Sequence, residues 1–160
     1  MSNLWLFLHI GCVIVGYGGV AMDLLYSNQI RRFAGPEAHA VASANWAVSH
    51  KVAEWFLYGV PIFGILLALD MDISFGSPWL SASFLVYLLS LGVLHGLVNP
   101  ARRQALVLLG ELAGQPTGDG RAQAAELSRL GRMMSLGQSV FSLLGVIALA
   151  LMVWQPGGNL

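Results

Sequence analysis

The chain has 160 residues, of which 56% are hydrophobic and only 10% charged, against about 25% charged in an ordinary soluble domain. Eight basic and eight acidic residues give a formal net charge of zero, and the mean hydropathy is +0.69. So few charges cannot cover a water-facing surface or neutralise a run of phosphates, which excludes a soluble globular protein, a disordered chain and an electrostatic nucleic-acid binder. The single cysteine excludes an intramolecular disulfide framework and a Cys-rich metal site.

Four apolar stretches are each long enough to cross about 30 Å of hydrocarbon, which takes roughly 20 helical residues. The first runs from about Leu4 to Tyr26, with no basic region before it and no small-residue cleavage site after it, so it reads as a retained helix. In the connection from Asn28 to Asn45, Pro36 is placed to start a short interfacial helix. The second span runs from about Trp46 to Leu69, and Pro61 between Gly59 and Gly64 should kink it. Ser77-Pro78 has the form of an N-cap followed by proline at the first helical position and opens the third span, which ends near Val98. Asn99-Pro100 repeats that pattern, so a new helix is expected to restart there as an amphipathic segment lined by Ala105, Leu106, Leu108, Leu109 and Leu112. Gln115-Pro116-Thr117-Gly118-Asp119-Gly120 breaks it, and a second amphipathic piece from Arg121 to Arg132 leads into the fourth span, about Met134 to Trp154. The runs do not alternate as transmembrane strands do. The fold expected is therefore an all-α integral membrane bundle of four transmembrane helices in one domain, residues 1–160, with amphipathic cytoplasmic segments at about 100–132.

Every basic residue lies beside the first or third connection: Arg31, Arg32 and Lys51, then Arg102, Arg103, Arg121, Arg129 and Arg132. The second connection carries only Asp70 and Asp72. By the positive-inside rule the first and third connections are cytoplasmic and both termini face outward. Trp5, Trp79 and Trp154 then fall at the outer interface and Tyr26 and Trp46 at the inner one.

Ionisable groups inside a span are costly and mark candidate sites. Asp23, His50, Glu54 and His95 all fall within about two turns of the cytoplasmic ends of three spans, and His50 and Glu54 share a face at i and i+4. Tyr58 continues that face, and Tyr87 stands at similar depth on the third span. Several readings are open on spacing alone. His50 and His95 could ligate the iron of haem b, with Glu54 and Asp23 behind them. The same residues could hold a divalent metal. Asp23 and Glu54 could relay an ion or a proton in a small transport protein. Or the group could be a hydrogen-bonded cluster in a cofactor-free structural or accessory subunit. Arg102, Arg103 and Lys51 are expected to meet anionic headgroups, or propionates if haem binds. The partners expected are the lipid bilayer and, as an open alternative, a homo-oligomer or larger membrane complex, with no nucleic acid. Glu54 should point into the bundle on the His50 face, where His50, His95 or Tyr58 can satisfy it.

In the first span His9, Cys12, Gly16, Gly19 and Asp23 recur in steps of 3 and 4 and form one stripe for close packing. His9 is roughly 21 Å from Asp23 along the helix and cannot share a metal with His50 or His95. His39 is placed in the polar loop. On the fourth span Ser135, Gln138, Ser139 and Ser142 share a face suited to holding helices together. No nucleophile–base–acid arrangement, phosphate loop or H-E-x-x-H motif is present.

The strings LFLHIGCVIVGYGGV, VAEWFLYGVPIFGILL and LGVLHGLVNPARR together resemble an uncharacterised family of bacterial integral membrane proteins, domain of unknown function 2269. The resemblance covers nearly the whole chain and implies four helices in a bacterial inner membrane with no established activity. The first span alone looks like the opening helix of HemJ-type protoporphyrinogen oxidases and CopD-type proteins, with His9 at the family histidine and Gly19 at its glycine. Gly16 replaces the aromatic position, and Leu24 and Leu25 stand where the HemJ type has Pro-Arg, which counts against protoporphyrinogen oxidation.

Overall fold

The structure, a computed structural model, describes residues 1–30, 33, 35–114 and 121–157, and the side chains of all of these except 24–30 and 121. Arg31, Arg32, the break at residues 115–120 and the side chains of Tyr26 and Arg121 lie outside the described residues. No strand occurs among the described residues; the helices are α1 (Ser2–Ile30), α2 (Gly35–Val48), α3 (Glu54–Asp70), α4 (Pro78–Val93), α5 (Asn99–Gly114) and α6 (Arg121–Trp154). Four continuous helical segments are long and apolar enough to cross a membrane: Ser2–Asp23, Gly35–Asp70, Pro78–Gly114 and Ala122–Trp154.

The continuity differs from the expected breaks. Asn99-Pro100 does not restart a helix. A π-helical turn, Leu94–Val98, joins α4 to α5, and another, Ser49–Ala53, joins α2 to α3. Proline at position 100 has no N–H to give and its ring crowds the carbonyl four residues back, and the widened turn just before it makes room for both. At 1.5 Å per residue the 36-residue segment Gly35–Asp70 is roughly 54 Å long, well beyond a hydrocarbon core of about 30 Å. The second, third and fourth helical segments therefore extend past the membrane at one end of the bundle, where α2, α5 and the first turns of α6 pack on one another. Ala101, Ala105 and Leu130 form the core of that extension.

At the other end α3 closes in a tight turn. Asp72 takes a left-handed conformation at φ 53, and Ile73 N–H bonds the Ala68 carbonyl at 2.9 Å, the pattern of a Schellman cap with aspartate in the usual glycine place. Ser77 is extended ahead of Pro78, but its hydroxyl makes no capping bond. Trp79, in the first turn of α4, is buried against Ala68 and Leu80.

α1 lies closest to α3, and α4 to α6. The α1 stripe is the reason for the first contact. A Cβ added at Gly19 would stand 2.7 Å from Ala53 Cβ, and one at Gly16 would stand 2.8 Å from the Leu57 backbone nitrogen; only glycine permits that approach. His9 is buried on the same stripe and donates from Nδ1 to the Val60 carbonyl at 2.9 Å. α3 and α4, in contrast, meet mainly through side chains. Pro61 removes the N–H that would bond the Leu57 carbonyl, and Tyr87 on α4 supplies the missing donor from its hydroxyl at 3.1 Å. Phe7, Ile14, Trp55, Leu85, Leu136 and Val153 face outward, an apolar surface that suits lipid and not water.

Candidate functional site: a polar layer at two π-helical turns

Both π-helical turns carry the same local pattern. In the first, Glu54 N–H reaches the Ser49 carbonyl; in the second, Asn99 N–H reaches the Leu94 carbonyl. Each turn contains a histidine, His50 or His95, with a polar side chain four residues on, Glu54 or Asn99. A π turn holds one residue more than an α turn, so it displaces the following face; such turns recur at functional sites.

The two turns are tied side chain to side chain. His50 Nδ1 donates to Glu54 Oε2 at 2.9 Å. Asn99 Nδ2 donates to Glu54 Oε1 at 2.8 Å and lies 3.3 Å from His95 Nδ1. With Nδ1 accepting from that amide, the His95 proton sits on Nε2, 3.0 Å from the Tyr58 hydroxyl. The result is a chain of five side chains, His50–Glu54–Asn99–His95–Tyr58. Glu54 is 3% exposed while the His50 side chain is 43% exposed, so a buried carboxylate touches the outside through one imidazole.

A second group lies alongside it. Asp23 is paired with Arg102, and both are buried. Ser49 donates to Asp23 Oδ2 at 2.8 Å and accepts from Arg102 Nη1 at 3.0 Å. Trp46 joins the two groups: its ring stacks on His50 at 4.9 Å and carries the Arg102 and Arg103 guanidinium groups at 5.6 and 5.5 Å. A buried unpaired arginine would be expensive; here one carboxylate balances it.

Several expectations are thereby placed. Glu54 points inward on the His50 face and is satisfied by His50, as expected, and by Asn99, which was read only as a cap. Asp23, His50, Glu54 and His95 do reach one layer, but as two groups: Asp23 bonds Ser49 and Arg102 and makes no bond to the imidazoles. Arg102 does not face headgroups, because Asp23 lies within its reach inside the bundle. His39 is half-buried, and its ring packs against Gly110 on α5. On α6 Leu130, Gly137, Gln138 and Phe141 are buried and Ser135 and Ser142 half-buried, while Ser139 is exposed, so of the expected polar face only Ser139 turns away from the bundle. Asn99 and Arg102 could have been found beside His95, since steps of 4 and 3 put all three on one face.

His50 and His95 are separated by Glu54 and Asn99, and both His95 nitrogens have partners. That geometry lends no support to shared ligation of one haem iron. Among the described residues no group of three or more His, Cys, Asp and Glu side chains is placed to hold a metal ion. No family model, no curated protein and no solved structure matches the chain.

Proposed function

We propose that this chain is a small proton-transport protein of a bacterial inner membrane, with Glu54 as the proton-binding group. One observation carries the reading: Glu54 is buried at 3% exposure between His50 and Asn99, and the group bonded to it that can carry a positive charge is an imidazole partly exposed at the surface of the bundle. A buried carboxylate with no permanent positive charge bonded to it is the kind of group that can take up and pass on a proton.

Asn99 offers such a proton an acceptor. Its Oδ1 is buried and has no hydrogen-bond partner among the described residues. When Glu54 is protonated it needs an acceptor, and a half-turn of the Asn99 amide brings Oδ1 to that place. His95 must then donate from Nδ1 instead of accepting there. Protonation at Glu54 is thus felt at His95 and Tyr58, on the outer surface between α3 and α4. The described basic residues Lys51, Arg103, Arg129 and Arg132 lie at the end where the helices project, which supports a cytoplasmic position for that end, both termini outside, and access to His50 from the cytoplasm.

The test is proton flux into proteoliposomes driven by an imposed potential and read by an enclosed pH dye. Wild type should acidify the interior faster than empty vesicles, and Glu54→Gln should fall to the empty-vesicle rate while keeping its helical circular dichroism. Equal flux from wild type and Glu54→Gln rejects the proposal. A Soret band in the purified protein that is lost in His50→Ala or His95→Ala would favour the haem reading in its place.

A further inference from the structure

The surface around Trp46 lies at a particular depth. His50 stands twenty residues before Asp70, which ends α3 at the far side of the bundle. At 1.5 Å per residue that is roughly 30 Å, the thickness of a hydrocarbon core, so Trp46, His50 and Lys51 fall at the level of lipid headgroups. The Trp46 ring stacks on His50 at 4.9 Å and carries the Arg102 and Arg103 guanidinium groups at 5.6 and 5.5 Å. Arg102 is buried and paired with Asp23. Arg103 and Lys51 are exposed, and neither has an ion-pair partner among the described residues. Two acids share a groove with Arg103. Glu126 is bonded to Arg129, and Glu111 is eight residues, roughly 12 Å, further along α5.

His50 adds an acceptor to these two cations. Its Nδ1 donates to Glu54, so Nε2 of the neutral ring carries a lone pair, and it has no partner among the described residues. Deeper in the span Val52, Trp55 and Phe56 are exposed, an apolar strip along which acyl chains can lie. The cations require an anion, the open acceptor requires a hydroxyl hydrogen, and the strip requires hydrocarbon. An anionic phospholipid with a hydroxyl-bearing head supplies all three, whereas a phosphocholine head has no net charge and no hydroxyl. A guanidinium resting on an aromatic face still presents its N–H edge to a phosphate. Because both lie on one indole, the Arg103 guanidinium carbon and the His50 ring centre are separated by no more than roughly 10 Å, which a phosphoglycerol head with a hydrogen bond at each end can bridge.

We infer that the surface around Trp46 docks an anionic phospholipid of the phosphoglycerol type. Its phosphate lies on Arg103 and Lys51, and a hydroxyl of its head donates to His50 Nε2.

The experiment titrates the full chain in detergent with three dioleoyl lipids and reads binding by native mass spectrometry. Phosphatidylglycerol has the charge and the hydroxyls, phosphatidylmethanol the charge alone, and phosphatidylcholine neither. Affinity should fall in that order. The step from phosphatidylglycerol to phosphatidylmethanol should be about fivefold, the weight of one hydrogen bond, and His50→Phe, which keeps a ring on Trp46 and removes the nitrogen, should erase it. Arg103→Gln should weaken phosphatidylglycerol about fivefold, the weight of one basic side chain beside an anionic headgroup, and leave phosphatidylcholine unchanged. Lys51→Gln is the second variant if Arg103→Gln does not fold, with the same loss expected. Arg132→Gln removes an exposed charge from α6 instead and should leave phosphatidylglycerol binding as it was. Equal affinity for phosphatidylglycerol and phosphatidylcholine, no margin over phosphatidylmethanol, or a loss in Arg103→Gln no greater than in Arg132→Gln overturns the inference. No proton movement enters the measurement, so this inference and the reading of Glu54 stand or fail separately.

Discussion

Two buried carboxylates stand side by side in this bundle and are treated in opposite ways. Asp23 is closed in by Arg102 and Ser49, with a full positive charge against its own. Glu54 has a neutral amide on one side and a part-exposed imidazole on the other. Asp23 is therefore ionised in a fixed pair, and its removal should act on stability. Glu54 has no permanent positive charge bonded to it, and its removal should act on proton movement. Two acidic residues in neighbouring helices look alike in composition; what separates their roles is whether the counter-charge is permanent.

The largest expected effect follows from the closed pair. Arg102→Met leaves the Asp23 charge buried and unpaired and should cost about 3–5 kcal/mol, read as a lower midpoint of thermal unfolding in detergent. Asp23→Asn in the same chain removes the stranded charge, so the double variant should recover much of that loss. If Arg102→Met is nearly silent, the pair is not holding the projecting helices on the bundle and the contrast with Glu54 disappears.

How much of this was open to reading from the sequence depended on what each residue's neighbours demanded. Helix length and apolarity are local, so the four spans followed from composition. The α1 stripe followed too, because Gly16 and Gly19 admit only a close partner, and Ala53 and Leu57 provide it. The inward turn of Glu54 followed from the cost of a lipid-facing carboxylate. The continuity of α4 into α5 did not: Asn99-Pro100 has the form of a helix start, and nothing local says that a widened turn will carry the chain through. The pairing of Arg102 also lay beyond reach, since an arginine just past a span suits a headgroup until the rotation of its helix is known. A π turn changes that rotation by one residue, and spacing alone does not announce it.

A middle-sized effect probes the gap between α3 and α4, which the Glu54 chain bridges. Tyr87 meets the Leu57 carbonyl that Pro61 leaves open. Tyr87→Phe strands that carbonyl and should cost about 1–3 kcal/mol by the same thermal measurement. Pro61→Ala restores an N–H at position 61 for the ladder, so Tyr87→Phe should cost less in that background, with a coupling of about 0.5 kcal/mol or more. Strictly additive costs would mean that the tyrosine is not replacing the proline's missing donor, and that other contacts hold α3 and α4 together.

The smallest effect on stability is expected at Glu54, and it bears most directly on the contrast between the two carboxylates. Glu54→Gln removes the charge and keeps the shape. The new amide can still accept from Asn99 through its oxygen. Its nitrogen can donate to His50 Nδ1 once the imidazole proton moves to Nε2, a tautomer open to any neutral histidine. Every bond of the chain survives with one reversed, so the unfolding midpoint should correspond to a change within about 1 kcal/mol. Glu54→Leu cannot do this. It leaves the Asn99 amide and the His50 ring facing a hydrocarbon and should cost about 1–3 kcal/mol more than the glutamine variant. A glutamine variant as damaged as Arg102→Met would show that Glu54 is needed as a permanent charge. It would then be a second structural carboxylate like Asp23, and the proton-binding role would fail on stability grounds before any flux was measured.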